Sequence, residues 1–213
     1  MSQMNPTLIE TVRVRSGVAP LWYLHLRRLA ASCQALGVPL PGELPTPEGG
    51  ADRVHRLEVS RQGLRVSERP VPASVPVRLA FSRVPHEPYP HKTTDREVFD
   101  RAQTEARAQG ADDGILLVRG EYVAEASIWT ILWLEGDRIC APPLALGILP
   151  SVARARVAEI AGIEERRVRP DEIRGRPLVV GNAVRGLVRV AELEGERLPE
   201  WRDFARLSSA FWA

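Results

Sequence analysis

His91-Lys92-Thr93-Thr94-Asp95-Arg96 holds the only lysine in a chain of 213 residues that has 29 lysines and arginines together. Arginine carries positive charge and bidentate hydrogen bonds at least as well as lysine. It keeps its proton near neutral pH, however, and so cannot serve as a nucleophilic amine or form a Schiff base. In so arginine-rich a chain, the simplest functional reading of Lys92 is an amine that holds a carbonyl cofactor or substrate. The competing reading is a drift toward arginine that spared one surface position. The sequence on either side has to decide between them.

Upstream, residues 8–14 are rich in β-branched types and read as a strand, with a turn at Gly17. From Leu21 to Gly37 the apolar residues Leu21, Leu24, Leu29, Cys33 and Leu36 recur at helical spacing, and Gly37 closes the run. Residues 39–51 are rich in proline and glycine and form a loop. Strands are expected at 54–60, 63–69 and 75–83. Pro85, Pro88 and Pro90 then break regular structure directly before Lys92. Downstream, a helix is expected over 95–109 and strands over 114–119 and 122–134. A proline-rich loop follows at 141–150, then a helix from Ser151 to Ala161, a short strand at 177–181, a further strand and a terminal helix. The pattern is mixed α and β in two layers or two domains. The expected division is a small N-terminal α/β domain over 1–84, an interdomain linker over 85–91 and a larger C-terminal domain over 92–213 that carries the lysine.

Composition bounds the function. The net charge is +2, and the arginines are interspersed with nearly as many acids, so no basic block points to nucleic acid. The two cysteines, Cys33 and Cys140, lack metal-ligand spacing and fit a reducing compartment. Neither a signal-type stretch nor an apolar run long enough for a bilayer is found, so the expected location is the cytoplasm, without a membrane partner.

Three features carry chemistry. Lys92 is the first; to attack a carbonyl it must be partly deprotonated, by desolvation or a nearby cation. Ser151, after Pro150, opens a helix whose N-terminus offers free N–H groups and a positive dipole end to an anion. As a plain N-cap it needs no ligand at all. Glu125, in Tyr122-Val123-Ala124-Glu125-Ala126-Ser127, has strand-like apolar neighbours. It is either inward, and then needs a partner, or an exposed strand glutamate.

Taken in order, five segments resemble the class IV pyridoxal-phosphate aminotransferases of fold type IV, a group that includes branched-chain and D-amino-acid aminotransferases and 4-amino-4-deoxychorismate lyase. Ile9-Glu10-Thr11-Val12-Arg13, Gly17 and His25-Leu26-Arg27-Arg28-Leu29 resemble F-E-T-x-R, G and H-L-x-R-L. His91 to Arg96 resembles the lysine segment. Asp112 to Leu117 with Val123-Ala124-Glu125 resembles D-E-x-L-L and v-x-E. Gly147-Ile148-Leu149-Pro150-Ser151-Val152-Ala153-Arg154 resembles G-x-L-x-G-[IV]-T-R. Gly181-Asn182-Ala183-Val184 is most similar to the C-N-A-L of the lyase branch.

The resemblance implies roles. Lys92 would hold pyridoxal 5'-phosphate as a Schiff base and shuttle the substrate's α-proton. Glu125 would pair with the ring nitrogen. Arg28, the N–H groups of Val152 and Ala153, and Asn182 would bind the phosphate, and His25 would fix the helix of Arg28. Arg13, Arg83 and Arg185 are candidate binders of substrate carboxylates. The implied unit is a homodimer with sites at domain and subunit interfaces. The implied substrate is an amino acid or aminodeoxychorismate. Departures are expected to matter on the substrate side. The sequence begins just before F-E-T-x-R, so the family's N-terminal strand pair and D-R-G-x-x-Y-G-D segment are expected to be missing. Ser151 replaces a glycine, and Ala153 replaces a threonine. The leading activity is a lyase acting on aminodeoxychorismate. Transamination of a branched-chain or D-amino acid comes second, and cofactor binding without turnover third.

Overall fold

A computed structural model of the chain describes residues 6–213. Residues 1–5 of the expected N-terminal domain lie outside the described residues. Packing divides the chain into two units. The first takes in the described residues up to Ala73, together with His91–Asp95 and Ala183–Arg185. The second takes in Ser74–Pro90, Arg96–Asn182 and Gly186–Ala213.

In the first unit, β1 (Leu8–Val14), β2 (Arg53–Ser60) and β3 (Gly63–Arg69) form an antiparallel sheet in that order. Side chains alternate along a strand, so Leu8 and Glu10 share a face of β1. That face meets α1 (Trp22–Leu36), where Leu8 packs with Leu29, Cys33 and Val38. The apolar stripe of α1 also carries His25, Arg28 and Ser32, which fall at the same helical spacing. The helix therefore buries polar groups as well as a core. Gly37 ends it in the left-handed conformation, φ 62°, where a side chain would be strained.

The second unit is built on a nine-stranded sheet. Strand β4 (Val77–Pro85) pairs in parallel with β5 (Asp113–Val118) on one side and β11 (Gly186–Leu193) on the other. These pairings place β4 in the second unit, whereas the linear division at residue 84 put it with the N-terminal part. The connection from β4 to β5 includes α2 (Glu97–Ala108), which packs on both strands. Beyond these lie β6 (Tyr122–Ala126), β7 (Thr130–Glu135), β8 (Arg138–Ala141), the two-residue β9 (Glu164–Glu165), β10 (Leu178–Asn182) and β12 (Glu196–Arg197). The remaining helices are α3 (Val152–Ala161), the one-turn α4 (Pro170–Ile173) and α5 (Phe204–Trp212). Trp133, fully buried, sits in the core with Ile131, Leu178 and Val180.

One strand was expected over 122–134, but two are found. The carboxylate of Asp113 accepts from Ser127 Oγ and from the N–H of Gly114 and Ile128. This pulls residues 127–129 out of extended conformation. The chain then leaves β5, the partner of β6, and pairs instead with β10 and β8. The short β8 and β9 were not expected at all.

The stretch expected to be a linker is packed into the second unit as far as Pro90. His86 N–H donates to Leu117 O at 3.0 Å, and Tyr89 N–H donates to Gly147 O at 2.7 Å. Close approach also dictates Gly114. A Cβ there would stand 2.6 Å from Ala102 O on α2, a backbone atom that cannot swing aside. Gly114→Ala should cost about 1–3 kcal/mol by overpacking, lowering Tm by roughly 3–10 °C in a chain of this size. Gly42→Ala, which faces open space, should change stability by less than about 0.5 kcal/mol. Thermal unfolding of both variants checks the contrast.

Candidate functional site

In the first unit the candidate residues gather around β1. Ile9 N–H donates to Lys92 O at 2.8 Å, and Thr94 N–H donates to Thr7 O at 3.0 Å. Residues 91–95 thus lie along the free edge of β1, with Thr93 opposite Leu8. His91 Nδ1 and Ser32 Oγ, 3.1 Å apart, tie the same segment to α1. The segment of Lys92 is held from β1 and α1, and Lys92 itself is half-buried.

Next to it is a buried charge cluster. Glu10 is 2% exposed. Arg28 donates to it from Nε (2.9 Å) and Nη2 (2.6 Å), and His25 donates from Nδ1 at 2.6 Å. Burial by itself would raise the Glu10 pKa, but the Arg28 charge and the two side-chain bonds outweigh it and lower the pKa from its ordinary 4.5 to about 2. Burial lowers the His25 pKa. The charges of Arg28 and Lys92 add to that lowering, against the opposing pull of Glu10. Lys92 is therefore close enough to His25 to act on it. Arg28 spends Nε and Nη2 on Glu10, which leaves Nη1 for an anion. His25 braces the same carboxylate, the structural part expected of it.

The candidate carboxylate binders are differently placed. Arg13 Nη2 donates to Asp52 at 2.7 Å and Nη1 donates to Val184 O at 3.4 Å. This brings Arg13 to the 183–185 segment, where Arg185 is half-buried. In the second unit Arg83 is exposed on β4, and its backbone N–H is held by Glu105.

The second unit assembles the rest around the start of α3. Ser151 caps this helix, its Oγ accepting from Arg154 N–H at 3.1 Å. The backbone bonds begin at Ala155 N–H, which donates to Ser151 O. The N–H groups of Val152 and Ala153 precede that bond and are free of the ladder, as an anion site requires. Gly181 packs against them. A Cβ on it would meet Ala153 Cβ at 3.2 Å and Leu187 at 3.0 Å, so β10 lies flush on the helix start. Asn182 is thereby brought beside Ala153, with Nδ2 donating to Ile128 O at 3.4 Å.

Glu125 is buried on β6, 7% exposed. Its Oε1 accepts from His86 Nε2 at 3.0 Å and from Leu149 N–H at 3.1 Å. No described residue donates to Oε2. Glu125 and α3 are thus linked through Leu149, three residues before the helix. His86, Leu149 and Glu10 were not singled out from the sequence. A histidine among three prolines was the available signal for His86, because such a stretch makes few ladder bonds and its side chains face neighbouring elements.

These groups suit pyridoxal 5'-phosphate in polarity. The free N–H groups and Arg28 Nη1 are donors for a phosphate, Glu125 Oε2 is an acceptor for a protonated ring nitrogen, and Lys92 is an amine for the aldehyde.

Both Glu10 and His25 have lowered pKa values, so the unfolded chain binds more protons than the fold and stability falls with acid. The loss begins as pH drops below the ordinary histidine value of about 6.5 and continues from 4.5 toward about 2 as Glu10 protonates. Glu10→Gln should cost about 3 kcal/mol at pH 7 by leaving Arg28 without its counter-charge. Its gap from the wild type should close as pH falls from 4.5 toward about 2. A gap constant across Tm measurements over that range would contradict the pairing.

The family model described as Amino-transferase class IV matches residues 55–193. No curated protein sequence matches the chain. Among solved structures, a hypothetical aminotransferase from Mycobacterium tuberculosis in its PLP-bound form is 24% identical, with a TM-score of 0.85 over 100% of this chain and 90% of that one. A branched-chain aminotransferase from Thermoproteus uzoniensis with norvaline is 20% identical, with a TM-score of 0.85 over 97% and 84%. A Legionella pneumophila protein with a provisional assignment as 4-amino-4-deoxychorismate lyase is 21% identical, with a TM-score of 0.80 over 96% and 89%. The family match covers well over half of the chain and the fold agrees throughout, and on these grounds the chain belongs to the class IV amino-transferases, pyridoxal-phosphate enzymes of fold type IV.

Proposed function

We propose that the chain is a lyase of the 4-amino-4-deoxychorismate type, releasing pyruvate and forming p-aminobenzoate. The observation that carries this choice is Gly181-Asn182-Ala183-Val184, a lyase-like segment at the end of β10 beside the start of α3. The family description itself favours a second reading, transamination, for which the expected substrate is a branched-chain or D-amino acid.

When bound, the cofactor supplies an aldehyde for a primary amine and an electron-poor ring that draws charge from the adjoining carbon. The remaining work falls to side chains. Lys92 provides the amine that holds the aldehyde and then carries the proton at Nζ. Glu125 Oε2 accepts from the ring nitrogen and keeps it protonated. Arg28 Nη1, the N–H groups of Val152 and Ala153, and Asn182 hold the phosphate. Substrate carboxylates fall to Arg13, Arg83 or Arg185. Arg13 is the least available of these because it already serves Asp52. The working unit in this proposal is a homodimer, as in the family, and its mass in light scattering tests that part.

Two assays decide the reaction. Incubation with aminodeoxychorismate should release pyruvate with no second substrate and leave no lasting pyridoxamine form of the cofactor. Conversion to that form by a branched-chain or D-amino acid, reversed by an α-keto acid and without pyruvate release, would replace the lyase with the transaminase. Silence in both assays, with cofactor bound, would leave only the binding role.

The phosphate assignment has its own test. Arg28→Ala should weaken pyridoxal phosphate by roughly 10- to 150-fold, the range for a charge-assisted hydrogen bond. It should leave the affinity for pyridoxal, which lacks the phosphate, almost unchanged. Equal losses for the two ligands in spectral titrations would mean that Arg28 only supports the fold.

A further inference from the structure

We propose that His86 is a positioning residue whose Nε2–H locks one oxygen of Glu125, so that the other oxygen is presented to the cofactor's ring nitrogen and holds the proton there. The inference depends on the assignment of Glu125 to that nitrogen and adds to it the group that sets the carboxylate's orientation.

The geometry is specific. Glu125 Oε1 takes both available donors, His86 Nε2 at 3.0 Å and Leu149 N–H at 3.1 Å. Two bonds to one oxygen fix the rotation of the carboxylate and leave Oε2 without a donor among the described residues. A carboxylate can only accept, so His86 Nε2 must carry the hydrogen. Nδ1 then has no part in the bond, and it is buried with no hydrogen-bond partner. A buried polar atom without a partner carries a free-energy penalty, and a fold that retains one commonly does so for the bond made by the other end of the group.

The ring is also held in place. Its own backbone N–H bonds to Leu117 O at 3.0 Å, and the imidazole stands edge-on to Phe99 with centroids 6.5 Å apart. His86 is thus aimed at Glu125 from a rigid seat between β5 and α2. Chemically, an acceptor held in line with the ring nitrogen favours a proton on that nitrogen. Without His86, Glu125 keeps a single donor, its carboxylate can turn, and Oε2 leaves the nitrogen. The ring then loses its positive charge.

The test uses ¹⁵N spectra of the protein before and after loading with pyridoxal phosphate labelled at the ring nitrogen. In the unloaded protein, the imidazole signals that vanish in His86→Gln should report Nε2–H and an unprotonated Nδ1. In the loaded wild type, the cofactor nitrogen should be protonated. In His86→Leu it should move toward the position of an unprotonated pyridine. Turnover should fall roughly 10-fold or more, the usual worth of a bond to a charged group, with cofactor affinity within about threefold. His86→Gln, whose amide reaches the Nε2 position, should restore both the signal and turnover. His86→Asn, whose amide lies nearer Nδ1, should not.

Should the leucine variant fail to fold, the glutamine and asparagine variants still decide the matter, and equal behaviour of these two would overturn the proposal. A proton on Nδ1 in place of Nε2 would overturn it as well. Glu125→Gln separates this inference from the reading beneath it. If that variant leaves the cofactor nitrogen unmoved, the assignment of Glu125 fails. If it moves the nitrogen while His86→Leu does not, only the role of His86 fails.

Discussion

The ion pair buried between β1 and α1 governs the first unit. Glu10 falls on the core face of its strand because side chains alternate, and its neighbour Leu8 is apolar. A charge in that position is tolerable only if it is answered, and α1 answers it twice, from His25 and Arg28. These bonds set the rotation of α1 about its own axis more tightly than its leucines do, since apolar contact has little directionality. With α1 and β1 fixed, the free edge of β1 receives residues 91–95, and the segment of Lys92 is placed by two backbone bonds, Ile9 N–H to Lys92 O and Thr94 N–H to Thr7 O. The root of the lysine side chain is thereby set by the backbone.

Glu125 repeats the principle in the second unit with a different outcome. Glu10 is saturated by its partners, whereas Glu125 is satisfied at one oxygen and open at the other. In the proposed function this difference separates a structural carboxylate from one that meets the cofactor. The same reasoning applies at α3, where Ser151 takes the third N–H and leaves the first two. Satisfied groups hold the frame, and the unsatisfied remainder is complementary in polarity to an anion with a cationic ring. Family membership and this remainder agree on the cofactor.

Much of this was legible in the sequence where one residue type answers one physical need. Gly37 sits where φ is positive, and Ser151 is the cap expected of it. The hairpin at 54–69 follows from alternation around a Gln62-Gly63 turn. The lone lysine marked its own segment. What was not legible depended on contacts between distant residues. Nothing local breaks the apolar run 122–134; the break comes from Asp113, which takes the hydrogen bonds of Ser127 and Ile128. The assignment of β4 to the second unit comes from partners more than 30 residues downstream. Burial of Glu125 was an open question because its neighbours suit either face, and only His86 and Leu149 settle how it is satisfied. Asp52, which occupies Arg13, lies in a loop that no periodicity describes.

The central claim is that this one lysine holds the cofactor, and chemical trapping tests it most directly. Borohydride reduction of the protein loaded with pyridoxal phosphate, followed by peptide mapping, should place the pyridoxyl group on the peptide containing Lys92. Lys92→Arg, which keeps the charge but not the nucleophile, should yield no such adduct and no visible cofactor band. A label elsewhere in the chain, or an unchanged band in Lys92→Arg, would contradict the account.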